Sequence, residues 1–252
     1  MKLSIITVCY NSDKYIETAI NAVLSQSYPN VEYILVDGAS TDNTLSLIKR
    51  YAEKFPGRIN WISEPDKGIY DAMNKGVQMA TGDVIGILNS DDLYAHNQVL
   101  ETVMNAFTND ASLDMVYGNL VYVKQSDTDK QVRKWVSKPY YDRFFEHGHV
   151  PPHPTLFLRR HVYEAAGLFN LNYKLAADYE FMLRVFKRFT FRSLYIPEVF
   201  VKMRLGGATN KSVKNIKDGN MEIIRSWKQN GFSPPLTLMP RRFAKRIVQF
   251  FI

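Results

Sequence analysis

The chain has 252 residues, 46% hydrophobic and 23% charged, with a formal net charge of +7. That is the make-up of a soluble globular protein with one substantial core and excludes a disordered or fibrous chain. The positive balance points to anionic company, whether nucleic acid, phosphorylated substrates or an anionic membrane surface. Cys9 is the single cysteine, which rules out an internal disulfide and fits a reducing compartment.

The first hundred residues alternate strand and helix signals. The N-terminus has no small-residue cleavage site and reads as a strand over Leu3 to Val8, not a signal peptide. Ile16, Ala19, Ile20, Val23 and Leu24 then share one helical face. Val31 to Val36 is a second strand, and Leu45, Ile48 and Phe55 sketch a second helix with Thr41 or Asp42 as its cap. Arg58 to Ile62 gives a third strand, Tyr70 to Ala80 a third helix and Asp83 to Leu88 a fourth strand. Such alternation means a mostly parallel sheet covered by helices on both faces.

In sheets of this kind ligands bind beyond the carboxyl ends of the strands. Each strand here runs into a polar cluster: Tyr10-Asn11, Asp37-Gly38, Glu64-Pro65-Asp66 and Asp91-Asp92. Adjacent carboxylates repel unless a cation or a donor shares them. The Asp91-Asp92 pair therefore reads either as a turn that caps the next helix or as a ligand for a divalent cation carrying a diphosphate. Asp37 reads as a turn residue or as an acceptor for a base N–H. Tyr10 either stacks on a planar ring or packs on the surface.

Beyond residue 96 the rhythm changes. Val99 to Phe107 marks a helix and Met115 to Val123 a strand. Residues 124 to 155 read as irregular, with His147, His149 and His153 around a Pro-Pro pair; long segments of that kind are often functional. A helix follows Asp178, whose plain reading is a helix cap. Strands are expected near Phe191 to Tyr195 and Val199 to Met203. Leu205 to Asn210 reads as a mobile glycine loop, with Lys202 and Arg204 before it as a possible diphosphate clamp. No apolar run approaches the ~20 residues of a membrane-spanning helix. The tail mixes Arg241, Arg242, Lys245 and Arg246 with Phe243, Ile247, Phe250, Phe251 and Ile252. On a helix its aromatic and aliphatic groups share a face flanked by cations, which suits either docking on the core or lying on a membrane surface.

The segments SIITVCYNSDKYIETAINAVLSQSYPNVEYILVDGASTDNT, ISEPDKGIYDAMNKGVQMATGDVIGILNSDD and LAADYEFMLRV together resemble a family 2 inverting glycosyltransferase of the bacterial surface-polysaccharide type. The resemblance implies the GT-A nucleotide-sugar-binding fold, an α/β architecture with a mostly parallel Rossmann-like sheet, a smaller acceptor-side region and C-terminal helices. It implies a nucleotide-sugar half over 1–95, an acceptor half over 96–210 and a basic, amphipathic helical tail over 211–252. By the same resemblance Tyr10 packs on the base, Asp37 reads the uracil, Asp66 contacts the nucleotide, Asp91 contacts the ribose and Asp92 ligates a Mn²⁺ or Mg²⁺ ion. Asp178 is the catalytic base. Arg204 is a candidate for the diphosphate and His153 for the acceptor.

Two departures matter. Met73 stands where many members carry an arginine. The Gln-x-x-Arg-Trp motif and membrane helices of processive members are missing, which points to transfer of a single sugar. The expected activity is metal-dependent transfer from a UDP-sugar to a lipid-linked saccharide, in the cytoplasm at the inner membrane surface. The rivals are a sugar-phosphate nucleotidyltransferase, whose glycine-rich loop is missing after the first strand, and a noncatalytic nucleotide-sugar-binding module. No helix-turn-helix or zinc pattern supports nucleic-acid binding.

Overall fold

The computed structural model describes residues 1–206 and 213–251. Its first half follows the sequence pattern closely. Strand β1 (Leu3–Cys9) leads to helix α1 (Ile16–Leu24), β2 (Val31–Asp37), α2 (Thr44–Lys54), β3 (Ile59–Ser63), α3 (Ile69–Met79) and β4 (Val84–Ile87). Every residue of β1 and β4 is buried, as expected for strands covered on both faces. The four strands are parallel in the order β3-β2-β1-β4.

The second half continues the same sheet with mixed direction. It comprises β5 (Leu93–Tyr94), α4 (Val99–Asn109), β6 (Met115–Lys124), β7 (Asp127–Trp135), β8 (Phe157–Arg159), α5 (Arg160–Ala166), α6 (Ala177–Arg188) and β9 (Ser193–Arg204). The short strand β8 runs antiparallel between β4 and β6, while β9 lies parallel to β6 and carries β5 on its far side. The close pass of β8 over β4 depends on Gly86, where a β-carbon would stand 2.6 Å from the Phe157 ring. The chain ends in α7 (Val213–Gln229) and α8 (Leu238–Val248). No helix among the described residues is long and apolar enough to cross a membrane.

Three local expectations are corrected. Residues 127–135 form a strand paired with β6 instead of irregular chain. The two strands expected around Pro197 are one, β9, whose pairing with β6 is irregular between Tyr117 and Asn119; a proline is tolerated at such a bulge. The cap of α2 is Asn43, with Asp42 Oδ1 instead accepting the Thr44 N–H at 2.9 Å.

The tail also differs from expectation. Helix α8 turns its cations toward the protein. Arg241 donates to the Glu146 carbonyl at 3.2 Å, Arg242 lies 4.6 Å above the Tyr179 ring, and Lys245 Nζ is 2.9 Å from His149 Nε2. Its apolar groups face outward: Phe243 is 68% exposed and Ile247 46%. The helix ends at Val248, so Phe250 and Phe251 follow it without sharing its face; Ile252 lies outside the described residues.

Candidate active site

The loops after β1 and β2 are laced together at the carboxyl end of the sheet. The Asn11 amide N–H donates to Ser40 Oγ at 2.8 Å, and Asn11 Oδ1 accepts the Thr41 N–H at 2.9 Å. Both loops hold a non-glycine residue in the left-handed region, Asn11 at φ 48° and Ala39 at φ 60°. For alanine this costs about 1–2 kcal/mol, and such strain clusters at ligand-binding sites.

This lacing forms a cradle. Tyr10 stands out from it, 62% exposed. Gly38 forms the floor: a β-carbon there would stand 2.4 Å from Asp66 Oδ2 and 3.5 Å from Tyr10 Cδ2. Asp66 Oδ1 accepts the Gly68 N–H at 2.8 Å, which fixes the carboxylate at the cradle's edge. Asp37 lies underneath, fully buried. Its oxygens accept from the Ser40 N–H at 3.1 Å, Ser40 Oγ at 2.5 Å and Ser63 Oγ at 2.6 Å, with Cys9 Sγ at 3.8 Å. Burial and the Asp37 carboxylate together push the Cys9 thiol up, so Cys9 is an inert core group.

After β4 the chain turns over Asn89 to Asp92, closed by the Asp92 N–H on the Asn89 carbonyl at 3.1 Å. The turn does not cap α4, which begins seven residues later with Gln98 at its cap and no side-chain capping bond. Asp92 is wholly buried. Among the described residues it accepts from Asn89 Nδ2 at 2.8 Å and, weakly, from the Arg204 N–H at 3.3 Å. Burial first, and Asp91 second, push its carboxyl well above the usual carboxylate range. Arg204 reaches in from the end of β9, donates to the Asp91 carbonyl at 2.5 Å and lies 4.8 Å above the Tyr15 ring. Its Nε is buried without a partner. Lys202 is not brought to the site; it pairs with Asp129 at 3.0 Å. The glycine loop expected at Leu205 to Asn210 lies outside the described residues from Gly207 onward.

Among the described residues there is no cluster of three or more His, Cys, Asp or Glu side chains that could hold a metal ion. A hard cation such as Mg²⁺ needs only one or two carboxylates when diphosphate oxygens and waters complete its shell. The Asp91-Asp92 pair fits that donor set. Burial and then the neighbouring Asp91 disfavour the charged form of Asp92, and a cation held there would favour it.

Asp178 lies in the first turn of α6 and not at its cap, which is Ala176; like Asp92 it is close enough to Tyr122 to raise that group's pKa. Two residues that sequence reasoning missed hold it there. Tyr70 Oη donates to Asp178 Oδ1 at 3.1 Å, bringing α3 against α6. Glu222 of α7 accepts the N–H groups of Lys174, Leu175 and Ala176 at 2.9, 2.8 and 2.9 Å, fixing the approach to the helix. Position gave a faint signal for Tyr70, which sits in the GIYDAMNKG segment; nothing local marks Glu222. His153 packs edge-on against Phe169 at 5.6 Å. Burial lowers its pKa and nearby Asp178 pulls it the other way, so His153 and Asp178 lie close to each other. Met73 is core, 2% exposed.

Comparisons with known proteins show the family and the fold. Residues 4–167 match Glycosyl transferase family 2. A PGL/p-HBAD biosynthesis glycosyltransferase of Mycobacterium tuberculosis is 28% identical over 211 residues, 83% of this chain and 80% of that protein. Another glycosyltransferase of the same species is 30% identical over 72% of this chain and 68% of its own length. Among solved structures, S. aureus TarS 1-349 in complex with UDP has a TM-score of 0.69 at 19% identity, covering 96% of this chain and 68% of that one. The mannosyltransferase PcManGT from Pyrobaculum calidifontis, in complex with GDP-Man and Mn²⁺, has a TM-score of 0.65 at 19% identity, covering 98% of this chain and 74% of that one.

Proposed function

The chain belongs to glycosyl transferase family 2 and has the GT-A fold, and from that premise we propose that it moves one sugar, with inversion, from a UDP-sugar to a hydroxyl of a lipid-linked saccharide. The observation that supports this reading is that Asp92, from the first half of the chain, and Asp178, from the second, both lie close enough to Tyr122 to raise its pKa. Membership of the family removes the nucleotidyltransferase rival.

Tyr10 offers a face for the base, and Asp66 stands beside it as a hydrogen-bond acceptor at the cradle's edge. Asp37, its oxygens already engaged, braces the cradle from below and meets the base only if a serine hydroxyl swings away. Asp91 is assigned to the ribose. Asp92, with Asp91 beside it, is the group that would hold Mn²⁺ or Mg²⁺, which supplies Lewis-acid neutralisation of the diphosphate leaving group. Arg204 adds a second positive charge at the same end.

On the acceptor side Asp178 takes the proton from the attacking hydroxyl. The carbon–oxygen bond to the acceptor forms on one face of the anomeric carbon as the bond to the diphosphate breaks on the other. A single displacement inverts the centre and needs one base and no protein nucleophile. Tyr70 orients the Asp178 carboxylate, and His153 lies where an acceptor ring would rest. The outward apolar side of α8 supports a reading in which the acceptor is presented at a membrane surface and the enzyme works on its cytoplasmic face, as in surface-polysaccharide assembly. The printed role of the Mycobacterium relative in PGL/p-HBAD biosynthesis supports a glycolipid-type product.

The test is a screen of UDP-glucose, UDP-galactose and their N-acetylated forms for consumption with and without Mn²⁺. At least one should turn over in a metal-dependent way. The Asp178→Asn variant should keep its UDP affinity while losing about 10²–10⁴-fold in turnover. Near-normal turnover by that variant would refute the role of Asp178 as the base.

A further inference from the structure

Tyr122 of β6 is a buried polar side chain to which the reaction above gives no task. It is 8% exposed, and tyrosine hydroxyls buried to that degree ordinarily have a hydrogen-bond partner. Among the described residues this hydroxyl has none. Its oxygen is not one of the side-chain atoms that the fold seals off without a partner, so a ligand can reach it.

Strand register places the residue between the two groups of acids. Tyr122 stands opposite Met203 of β9, and the next pair along is Val123 with Arg204. The Arg204 N–H donates to Asp92 Oδ1 at 3.3 Å, so Tyr122 is one position removed from a direct contact of Asp92. On its other edge it stands opposite Arg133 of β7. That guanidinium lies 3.6 Å over the phenol ring and donates to Gln249 Oε1 at 2.6 Å. Gln249 caps α8, whose Arg246 lines a small cavity with Ala176, the cap of α6 two residues before Asp178. The electrostatics agree with the register. Burial does most to raise the phenol's pKa, Arg133 and Arg246 oppose it, and Asp92 and Asp178 add to it. The charge of an ionised phenol sits largely on its oxygen, so the hydroxyl end is the part that lies near both acids. At neutral pH the group is an uncharged hydroxyl that both donates and accepts. With Arg133 over the ring, stacking on that face is blocked and the hydroxyl is the group left to meet a ligand.

Displacement with inversion fixes what that ligand is. The incoming oxygen and the leaving diphosphate lie on opposite sides of the anomeric carbon, so the transferred sugar sits between the base and the groups that hold the diphosphate. A hydroxyl near Asp92 and Asp178 alike borders that sugar. We propose that Tyr122 is a donor-specificity residue whose hydroxyl forms a hydrogen bond with a ring hydroxyl of the transferred sugar. The assignment rests on the glycosyltransferase reading above and adds to it a residue that distinguishes the sugar from the nucleotide. A site built to hydrogen-bond a substrate hydroxyl discriminates against ligands that lack it, because its own buried polar group is then left unpaired. The unpaired state is the one that the free chain shows.

The experiment is calorimetric titration of the full-length chain, in the presence of Mn²⁺, with UDP, UDP-glucose, UDP-galactose and the two N-acetylated forms. Tyr122→Phe removes the hydroxyl and keeps the ring beneath Arg133. For the nucleotide sugar that the wild type binds best, the Kd of the variant should rise about three- to tenfold. The Kd for UDP and the melting temperature should not change. Equal weakening of UDP and UDP-sugar would assign the hydroxyl to the nucleotide and overturn the proposal. So would a lower melting temperature, which would reveal a structural partner, or turnover lost at unchanged donor affinity, which would place Tyr122 with the acceptor. Normal binding of every UDP-sugar by the variant overturns this assignment alone. A wild type that binds none of the five probes overturns the donor reading, and this assignment with it.

Discussion

Two buried carboxylates sit at opposite ends of the same parallel strands and live under opposite conditions. Glu32, near the start of β2, receives the Ser4 hydroxyl at 2.6 Å, the Thr81 N–H and hydroxyl at 2.8 Å each, and the Lys2 ammonium at 3.0 Å. Burial alone would raise its pKa, but these bonds outweigh burial and hold it at about 2. Asp92, beyond the end of β4, is more deeply buried, has two donors, one of them long, and a carboxylate for a neighbour. Its pKa moves the other way. The amino-terminal end of the sheet is finished with protein groups, whereas the carboxyl end is left short of positive charge. The difference teaches which end was built for folding and which for something that arrives later.

The strongest way to break the contrast is Asp92→Asn. Transfer should fall on the order of 10³-fold, the several kcal/mol that a Lewis acid supplies. Metal-free stability should meanwhile rise by about 1 kcal/mol, because a buried carboxyl that burial and Asp91 make costly to ionise has gone; that is about 2–4 °C in a chain of this size. Melting curves with and without Mn²⁺ and UDP check both halves, and a variant that melts lower than wild type without metal would place Asp92 with Glu32.

The reverse change is Glu32→Gln. The depression from 4.5 to about 2 corresponds to roughly 3 kcal/mol at neutral pH. The melting temperature should fall by about 6–12 °C, with turnover unchanged wherever the protein is folded. Because the unfolded carboxyl takes up its proton first, this contribution is complete above pH 4.5 and drains away as the pH falls toward about 2. Denaturant titrations across that window should show wild type and variant converging in stability; parallel curves would contradict the assignment.

The smallest effect sharpens the comparison within the cleft itself. Tyr70→Phe removes the only described side-chain bond to Asp178 while leaving the carboxylate in place. Turnover should fall about tenfold, with the KM for donor unchanged. Initial-rate kinetics separate the two, and a change confined to donor KM would mean that Tyr70 serves the nucleotide half.

The sequence made β1 to β4 legible because strands buried on both faces become continuous apolar runs, and because the rim residues follow them directly. Strand β7 was not legible, since DTDKQVRKW is mostly polar and finds its place only by pairing with β6. Pro197 read as a break, but irregular pairing absorbs it within β9. At the site, Asp91, Asp92 and Asp178 announced themselves through local motifs. Tyr70 and Glu222 did not, because each acts on a residue far along the chain. The inward turn of the α8 cations was also hidden: amphipathicity tells that a helix has two sides, not which one the rest of the protein will choose.

The bracing of the α6 approach by Glu222 ties Asp178 to the last part of the chain. Tyr10, Asp37, Asp66, Asp91 and Asp92 all fall within residues 4–167, the stretch shared across the family. Asp178, its brace in α7 and the arginines of α8 come afterwards. On the proposed reading, changes in the later part would re-aim Asp178 toward a new hydroxyl without disturbing the residues assigned to the donor. Grafting the later part of one relative onto the earlier part of another should then redirect the product while preserving the choice of nucleotide sugar, provided that the residue facing the Lys174–Ala176 amides travels with the base it steadies.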